Sequence, residues 1–479
     1  MKASRRQFLK SSALVLSGAS ALALNCQKRH KSPNVIFILA DQWRTQDVGF
    51  MGNVQVRTPH LDKLAGESIV LQNAVSGCPV CSPYRASLMT GQYPLTHGVF
   101  YNDKPLKPQG KALGECFRDA GYATAYIGKW HLKGHAKGVS VNEGRQQPVP
   151  QDRRLGFDFW RVHECTHDYN HSVYFDEQNT PHTWEGYDTI AQTQIAQEYI
   201  KDRARQQPFF LFLSWGPPHA PYHTAPDEFR SLYPNPETIH LRPNVPDELK
   251  EKAQQDIAGY YAHIAALDQC VGELLKSIQD SGIEEDTIFI FTSDHGDMLY
   301  SHGQVKKQKP WDESIRVPFL LRYPKLDACQ IKKPVNTPDL MPTLLSLCGL
   351  RIPDSVEGQN YAALLSGNEP DGDGAAIIEC PVPFHQWNYQ RGGREYRGLR
   401  TTRYSYVRDL QGPWLLYDNQ NDEFQQHNLI GKPEYADVQQ DLERQLETAL
   451  QARGDAFLSG DHYMQTWNYE WDGNDAEKS

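Results

Sequence analysis

The chain has 479 residues, of which 39% are hydrophobic and 23% are charged, and its formal net charge is -10. These values are typical of a folded protein of about two domains and exclude a disordered chain. A nucleic-acid binder normally carries the opposite charge, so that class is disfavoured. If the substrate is an anion, the positive field that holds it must be local.

The first residues have the pattern of an export signal. Residues 4–10 read Ser-Arg-Arg-Gln-Phe-Leu-Lys and precede a short apolar run, as in twin-arginine signal peptides. An Ala-x-Ala cleavage site ends at Ala23, so we predict a signal peptide over 1–23 and a periplasmic or secreted protein. The apolar run is too short to span a bilayer, so no membrane span is expected. A lipoprotein anchored at Cys26 is the alternative, although Ala-Leu-Asn before it is a poor lipobox.

Four apolar segments have the length and composition of strands buried on both faces, as in parallel sheets. They cover residues 33–40, 123–128, 209–214 and 287–292. Apolar residues at helical spacing predict helices between them, at 59–68, 112–120 and 256–280. This alternation predicts an α/β fold with a large, mainly parallel sheet flanked by helices, over a catalytic domain of residues 33–370.

A second, smaller unit follows a loop of Gly, Asp and Asn residues at 366–374. Strand-like segments and one closing amphipathic helix are predicted at 376–379, 397–400, 404–408, 414–417 and 438–453. We therefore predict a C-terminal α+β domain over residues 376–479 that contributes to the substrate pocket. Two further segments, 142–154 and 163–185, resemble long loops, which in compact domains are usually functional or mobile.

Polar side chains follow soon after the four predicted strands of the large domain. They are Asp41-Gln42, Lys129-Trp130-His131, His219 and Asp294-His295. In open α/β sheets the ligand site lies beyond the carboxyl ends of the strands. Acidic, basic and imidazole groups on four separate strands therefore predict one shared site, whereas a surface role would scatter them over helices and loops.

The Cys-Pro-Val-Cys sequence at residues 78–81 permits several interpretations on local grounds. A C-x-x-C after an apolar segment such as 69–75 suits a thiol–disulfide couple. A zinc site would need a second C-x-x-C or a His pair at suitable spacing, but there is no second C-x-x-C and no His pair lies at finger-like spacing from this one. The other cysteines are irregularly spaced, unlike a disulfide framework, so most are interpreted as buried thiols.

The same stretch also begins a longer pattern, Cys-x-Pro-x-Arg-x-x-x-x-Thr-Gly, from Cys81 to Gly91. This string resembles the signature of type I sulfatases, the formylglycine-dependent branch of the alkaline-phosphatase superfamily, and the resemblance covers nearly the whole mature chain. It implies an alkaline-phosphatase-like fold. It also implies that a maturation enzyme oxidises Cys81 to formylglycine and that Cys78 is an unmodified neighbour.

The resemblance implies one divalent cation bound at two strand ends. Its ligands would be Asp41, Gln42, Asp294 and His295, together with the residue derived from Cys81. Many members of the family have Asp-Asp and Asp-Asn at these places, and the departures here resemble phosphonate monoester hydrolases and some carbohydrate sulfatases. Oxygen ligands favour Ca²⁺, whereas one nitrogen ligand also suits Mn²⁺, and Mg²⁺ is a further alternative.

The resemblance also implies the catalytic roles. Lys129 and Lys307 would grip the sulfate, and Arg85 would steady the alkoxide of the formylglycine hydrate that attacks sulfur. His219 would protonate the leaving alcohol with help from Lys307. His131 would then deprotonate the second hydroxyl, so that sulfate leaves and the aldehyde is regenerated.

Lys307 is selected from three lysines that stand close together, Lys306, Lys307 and Lys309. The family places its lysine four residues before an aromatic-acidic pair, and Trp311 sets that frame. We interpret Lys306 and Lys309 as part of a solvated face.

Four further residues, His97, Asn102, His167 and His385, are candidates for substrate binding because they lie in polar or aromatic segments near the motifs. Aromatic faces and forked polar side chains suit sugar rings, which favours a sulfated saccharide over a small alkyl or aryl ester. We therefore predict an exported sulfatase that acts on sulfated glycans.

Three alternatives remain open at this point. The same fold could hydrolyse phosphonate monoesters or phosphodiesters, as the residues at 42 and 295 suggest. The chain could be a catalytically silent exported binding protein, although every expected catalytic position is filled. A C-x-x-C oxidoreductase would instead contain a reducible disulfide between Cys78 and Cys81 and would need no metal.

Overall fold

The structure is a computed structural model that describes residues 32–135 and 138–471. The predicted signal peptide and Cys26 lie outside the described residues. Within the described ranges no helix is long and apolar enough to cross a membrane.

The strands are numbered here in chain order. They are β1 (Asn34–Asp41), β2 (Ile69–Leu71), β3 (Ala74–Val75), β4 (Ala123–Lys129), β5 (Phe159–His163), β6 (Val173–Phe175), β7 (Pro181–Thr183), β8 (Phe209–Pro218), β9 (Thr287–Ser293), β10 (Arg316–Val317), β11 (Phe319–Arg322), β12 (Cys329–Ile331), β13 (Val335–Asn336), β14 (Ala375–Cys380), β15 (Tyr396–Thr401), β16 (Tyr404–Asp409) and β17 (Gly412–Asp418).

The α-helices follow the same numbering. They are α1 (Pro59–Ala65), α2 (Cys81–Thr90), α3 (Pro94–His97), α4 (Leu113–Asp119), α5 (Val141–Arg145), α6 (Asp188–Arg203), α7 (Asp227–Arg230), α8 (Lys250–Asp280), α9 (Asp312–Ile315), α10 (Thr337–Leu347), α11 (Ala362–Leu365), α12 (Ala436–Ala452) and α13 (Gly460–Thr466).

The central layer is a sheet of ten described strands in the order β12-β2-β11-β9-β1-β8-β4-β5-β6-β7. β1 pairs in parallel with β8 and β9, and β4 pairs in parallel with β8 and β5. Antiparallel pairing occurs on either side of this parallel centre, at β11 and at the β6–β7 hairpin. The predicted large, mainly parallel sheet is therefore confirmed.

Strand β1 shows why this sheet needs helices on both faces. All eight of its residues are buried. Val35, Phe37 and Leu39 belong to one hydrophobic cluster, whereas Ile36 and Ile38 belong to another. Side chains alternate between the two faces of a strand, so each face of β1 has its own apolar core.

Three segments differ from the predicted loops and strands. The apolar stretch 69–75 divides into β2, which joins the large sheet, and β3, which joins a small sheet in the order β10-β3-β13. The predicted loop 163–185 contains the β6–β7 hairpin, and 142–154 begins within helix α5. A capping box stabilises the start of α5, because Ser140 Oγ accepts from Glu143 N and Glu143 Oε2 accepts from Ser140 N.

The C-terminal part is a four-stranded antiparallel sheet in the order β14-β15-β16-β17. Leu442, Leu446 and Leu450 on helix α12 pack against apolar residues of this sheet, including Leu399 and Tyr406. A mainly parallel sheet with a C-terminal antiparallel sheet and helix is thus confirmed as the fold. The described residues from Pro33 onward form one compact unit, and the division into two domains stays a prediction.

Candidate active site

The candidate site begins where two neighbouring strands end. β1 and β9 pair in parallel with Ala40 opposite Ser293, so the residues that follow them lie side by side. Asp294 N donates to Ala40 O over 3.1 Å. Gln42 N donates to Asp294 Oδ1 over 3.0 Å. The strand register therefore brings together the two acidic motifs predicted from the sequence.

Four groups in this corner could share one metal ion. Ligand atoms of Asp41, Cys81, Asp294 and His295 all lie within 4.8 Å of one another, and all four residues are buried. Gln42 Oε1 is also buried and has no hydrogen-bond partner among the described residues. Such an orphaned acceptor normally marks an ion or a water.

The tautomer of His295 agrees with a ligand role. Its Nδ1 lies 2.9 Å from Gly296 O and must donate to it, so Nε2 is the ring nitrogen that could bind a cation when the ring is neutral. That Nε2 lies 3.4 Å from Asp294 Oδ1 and 3.6 Å from Asp41 Oδ1. Two carboxylates, an amide oxygen and an imidazole nitrogen form a donor set that fits a divalent cation.

The two carboxylates differ in their ionisation. Burial and the adjacent charge of Asp41 raise the pKa of Asp294 to about 6. Burial also opposes ionisation of Asp41, but Lys129, His219 and Lys307 together lower its pKa well below the usual range. Two acidic groups held this close repel one another, and a bound cation would relieve that repulsion.

Cys81 is the first residue of helix α2 and lies in the centre of the site. Its Sγ is 3.0 Å from Lys307 Nζ, 3.2 Å from His295 Nε2 and 3.7 Å from Asp41 Oδ1. Burial and Asp41 oppose the thiolate, yet Lys129 and Lys307 lower the pKa of Cys81 well below its ordinary value. A cysteine in such an electropositive position is a reactive group rather than a packing residue.

Arg85 lies one helical turn beyond Cys81 and is almost completely buried. Its guanidinium donates to Asp41 Oδ2 over 3.3 Å and to Asp294 Oδ2 over 3.0 Å. A third bond goes to Ser214 Oγ within β8. Arg85 therefore balances part of the negative charge of both carboxylates.

Lys129 lies at the end of β4, where its side chain reaches Asp41. Its Nζ donates to Asp41 Oδ2 over 2.6 Å. The preceding residue, Gly128, has φ 100°, and a Cβ there would lie 2.0 Å from Ser214 O. Only glycine fits where β4 ends so close to β8, which fixes the direction in which Lys129 leaves the strand.

His131 is held from one side by a residue that the sequence did not single out. Its Nε2 lies 3.1 Å from Asp103 Oδ1, and Arg145 binds both oxygens of the same carboxylate. Burial opposes protonation of His131, but Cys165 and Asp103 raise its pKa to about 9. His131 and Asp103 both have left-handed backbones, with φ 57° and 59°. Strain of this kind often concentrates at functional sites.

His219 follows β8 and meets Lys307 across the site. Its Nδ1 lies 2.8 Å from Ala220 O and must donate to it, so Nε2 accepts from Lys307 Nζ over 3.0 Å. Burial and the charge of Lys307 lower the pKa of His219 well below its ordinary value. The ring of His167 stacks on that of His219 with centroids 4.5 Å apart, which places this candidate substrate residue beside the site.

Two other candidate substrate residues have structural contacts. His97 Nδ1 accepts from Val99 N, and its Nε2 pairs with Ser87 Oγ, so both ring nitrogens are used within the fold. Asn102 Oδ1 accepts from Ser82 N over 3.1 Å and thus caps the start of helix α2. These contacts favour supporting roles for both residues.

The segment after Lys307 connects the site to the C-terminal part. Gln308 Nε2 donates to Phe384 O, and Gln308 Oε1 accepts from Phe384 N. This pair of bonds fixes the chain next to the exposed His385, the fourth candidate. Lys309, predicted as part of a solvated face, is instead fully buried, and its Nζ donates to Val305 O.

Comparison with known proteins places the chain in a family. Residues 33–350 match the family model described as Sulfatase. Residues 301–452 match the model described as N-sulphoglucosamine sulphohydrolase, C-terminal. The chain belongs to the sulfatase family. It is therefore a hydrolytic enzyme, and the prediction of the family is confirmed.

Relatives of this sulfatase match it over most of their length. An ulvan-active sulfatase of Formosa agariphila is 41% identical over 453 residues, which cover 92% of this chain and 86% of that protein. An endo-4-O-sulfatase of Bacteroides thetaiotaomicron is 30% identical, covering 89% and 93%. A solved structure described under the metabolism of multiple glycosaminoglycans by B. thetaiotaomicron has a TM-score of 0.80, 28% identity and coverage of 92% and 100%.

Proposed function

We propose that this sulfatase hydrolyses sulfate esters of sulfated saccharides and that Cys81 is converted by a maturation enzyme into its formylglycine nucleophile. The contacts of Cys81 Sγ carry this proposal, because one atom lies within 3.7 Å of Lys307 Nζ, His295 Nε2 and Asp41 Oδ1. The proposed nucleophile, two proposed ligands of the metal ion and the lysine proposed to bind sulfate therefore meet at one point. The saccharide substrate is supported by the similarity to the ulvan-active and endo-4-O-sulfatases.

The proposal includes one Ca²⁺ ion held by Asp41, Gln42, Asp294 and His295, with residue 81 as a further ligand. When bound, the cation would supply positive charge beside the sulfate and the nucleophile. Formylglycine, as its hydrate, would supply the attacking hydroxyl and a second hydroxyl that permits release. Ca²⁺ is favoured over Mg²⁺ because the protein supplies most of the ligands, whereas Mg²⁺ usually keeps several waters, and the imidazole of His295 leaves Mn²⁺ as the alternative. We also propose export through the twin-arginine pathway to the periplasm or beyond.

Two lysine side chains would bind the sulfate. Lys307 Nζ lies next to residue 81, and Lys129 Nζ lies on the other side of Asp41. Both ammonium groups are buried, so their charges act in a medium of low dielectric constant. Fixed positive charges of this kind stabilise a transition state in which negative charge spreads over sulfate oxygens.

Proton transfer would involve two histidines, His219 and His131. Lys307 Nζ donates to His219 Nε2 over 3.0 Å, and this pair would pass a proton to the leaving saccharide oxygen. Asp103 holds Nε2 of His131, and Nδ1, which has no hydrogen-bond partner among the described residues, would take a proton from residue 81 in the release step when the ring is neutral. His219 therefore serves the first half of the reaction and His131 the second.

Inorganic sulfate released from a panel of sulfated mono- and oligosaccharides tests the proposal. We expect release by the matured, Ca²⁺-loaded protein, loss of release after chelation of the metal, and none from Cys81→Ala. A phosphonate monoester belongs in the panel, because Gln42 and His295 are also the residues that favour a phosphonate hydrolase. Phosphonate turnover without sulfate release would replace our proposal by that second function.

A further inference from the structure

Asp297, three residues after Asp294, is fully buried next to Gln42, one of the proposed cation ligands. Its Oδ2 accepts from Gln42 Nε2 over 2.7 Å and from the hydroxyl of Tyr222. Its Oδ1 accepts from Leu299 N over 3.0 Å and from Lys306 N over 2.8 Å. Both carboxylate oxygens of Asp297 therefore act only as acceptors.

This arrangement decides which end of the Gln42 amide faces the cation. A carboxylate accepts hydrogen bonds and repels a carbonyl oxygen, so the NH₂ group of Gln42 must point towards Asp297. The opposite end, Oε1, then faces away from Asp297 and has no hydrogen-bond partner among the described residues. The backbone of Gln42 is also fixed, because its N donates to Asp294 Oδ1 and its O accepts from Tyr260.

The same carboxylate also holds the segment that carries Lys307. Oδ1 binds Lys306 N, and Met298 N donates to Lys306 O over 2.8 Å. These two bonds close the loop between 297 and 306 immediately before Lys307. One side chain thus touches a proposed metal ligand through one oxygen and the loop before the proposed sulfate-binding lysine through the other.

We propose that Asp297, assisted by Tyr222, is a positioning residue that orients the amide of Gln42 so that Oε1, and not the NH₂ group, is presented to the cation. This inference rests on the proposed cation site, and it assigns to Asp297 a role that acts through Gln42. Second-sphere partners that orient a ligand typically contribute about 10- to 100-fold to metal affinity.

The variant Asp297→Asn tests the orientation with little change in shape. Asparagine keeps Oδ1 for Leu299 N and Lys306 N but replaces Oδ2 by an NH₂ group, which would meet the NH₂ of Gln42. Gln42 would then turn its oxygen towards residue 297 and its NH₂ towards the cation. We expect Ca²⁺ binding to the full chain, measured calorimetrically after removal of metal, to weaken by about 10- to 100-fold.

A double-mutant cycle separates orientation of Gln42 from a general effect on the fold. In Gln42→Ala, which lacks the ligand, the additional change Asp297→Asn should leave the Kd for Ca²⁺ unchanged. Asp268→Asn is the matched control, because its buried carboxylate accepts from His60 N and Leu61 N on the side of helix α8. This control should bind Ca²⁺ like the wild type.

Additive losses in the cycle, or wild-type Ca²⁺ affinity in a folded Asp297→Asn protein, would overturn the inference. If Asp297→Asn does not fold, Tyr222→Phe replaces it: loss of the hydroxyl should weaken Ca²⁺ binding several-fold in the wild type and not at all in Gln42→Ala. An equal loss in both backgrounds would contradict us. Failure of the wild type to bind either Ca²⁺ or Mn²⁺ would refute the cation site and this inference together.

Discussion

The cation end of the site and its rim are held in different ways. Asp41, Asp294 and His295 are fully buried and follow adjoining parallel strands whose register is fixed by continuous pairing. At the rim, His167 lies in the connection between β5 and β6, and His385 is exposed beyond β14. These three proposed cation ligands are therefore attached to the rigid sheet, whereas the groups available to choose a substrate lie on connecting segments.

The largest expected effect on activity comes from replacing Cys81 and should distinguish it from Cys78, three residues earlier. Cys81→Ala should reduce sulfate release by at least about 10⁴-fold, because it removes the proposed nucleophile at the centre of the site. Cys78→Ala should retain most activity, since Cys78 is packed in a hydrophobic cluster with Val80 and Phe100. Turnover by the purified, matured proteins measures both.

Unchanged circular dichroism and melting temperature would show that Cys81→Ala has kept its fold. Equal loss in both variants would instead indicate a thiol–disulfide couple and would contradict the sulfatase mechanism.

The next effect concerns the proton donor. His219→Ala should lower kcat for a sulfated saccharide by about 10²- to 10⁴-fold, because a sugar alkoxide leaves poorly without a proton. An activated aryl sulfate has a better leaving group, so its kcat should fall much less. The ratio of the two losses is the measurement, and equal losses would remove the proton-donating role from His219.

The comparison of the two regions also explains what the sequence could predict. Asp41, Asp294 and Lys129 were predictable because apolar runs identify strands, and parallel strands place their carboxyl ends at one edge. The role of Asp297 could not be predicted from the sequence, because its bond to Gln42 joins residues 255 positions apart and depends on the conformation of a loop.

Lys309 illustrates the same limit at the rim. Lys306 and Gln308, on either side of Lys307, have left-handed backbones, with φ 59° and 75°, so this segment follows neither a regular helix nor a regular strand. Both Lys307 and Lys309 are consequently buried, which no regular periodicity would predict. The hairpin in 163–185 was missed for a related reason: β6 and β7 are three residues each and too short to show a pattern.

A smaller effect, on the stability of the protein, tests the interaction between Asp103 and His131. The pKa of His131 is raised to about 9 by Cys165 and Asp103 against the cost of burial. Its protonation therefore stabilises the fold fully below about pH 6.5, the ordinary pKa of histidine, and this contribution is lost as the pH rises through 9. The loss is at most about 3 kcal/mol.

Melting temperatures of the wild type and of Asp103→Asn, compared between pH 6 and 9.5, measure this contribution. The advantage of the wild type should be largest at the acidic end and should shrink towards pH 9.5. Parallel curves for the two proteins would mean that Asp103 does not control the charge of His131.

The smallest effect should come from the rim. His385 lies beside Phe384, whose backbone is held by Gln308, so its position relative to the site is set while its side chain remains exposed. We expect His385→Ala to raise KM for a sulfated oligosaccharide by less than about tenfold and to leave kcat for an aryl sulfate unchanged. His171→Ala is a suitable control, because that side chain is 82% exposed and pairs with Asp168. A fall in kcat for the aryl sulfate would assign His385 to the chemistry instead, and the separation between a rigid reaction centre and an adaptable rim would then fail at this residue.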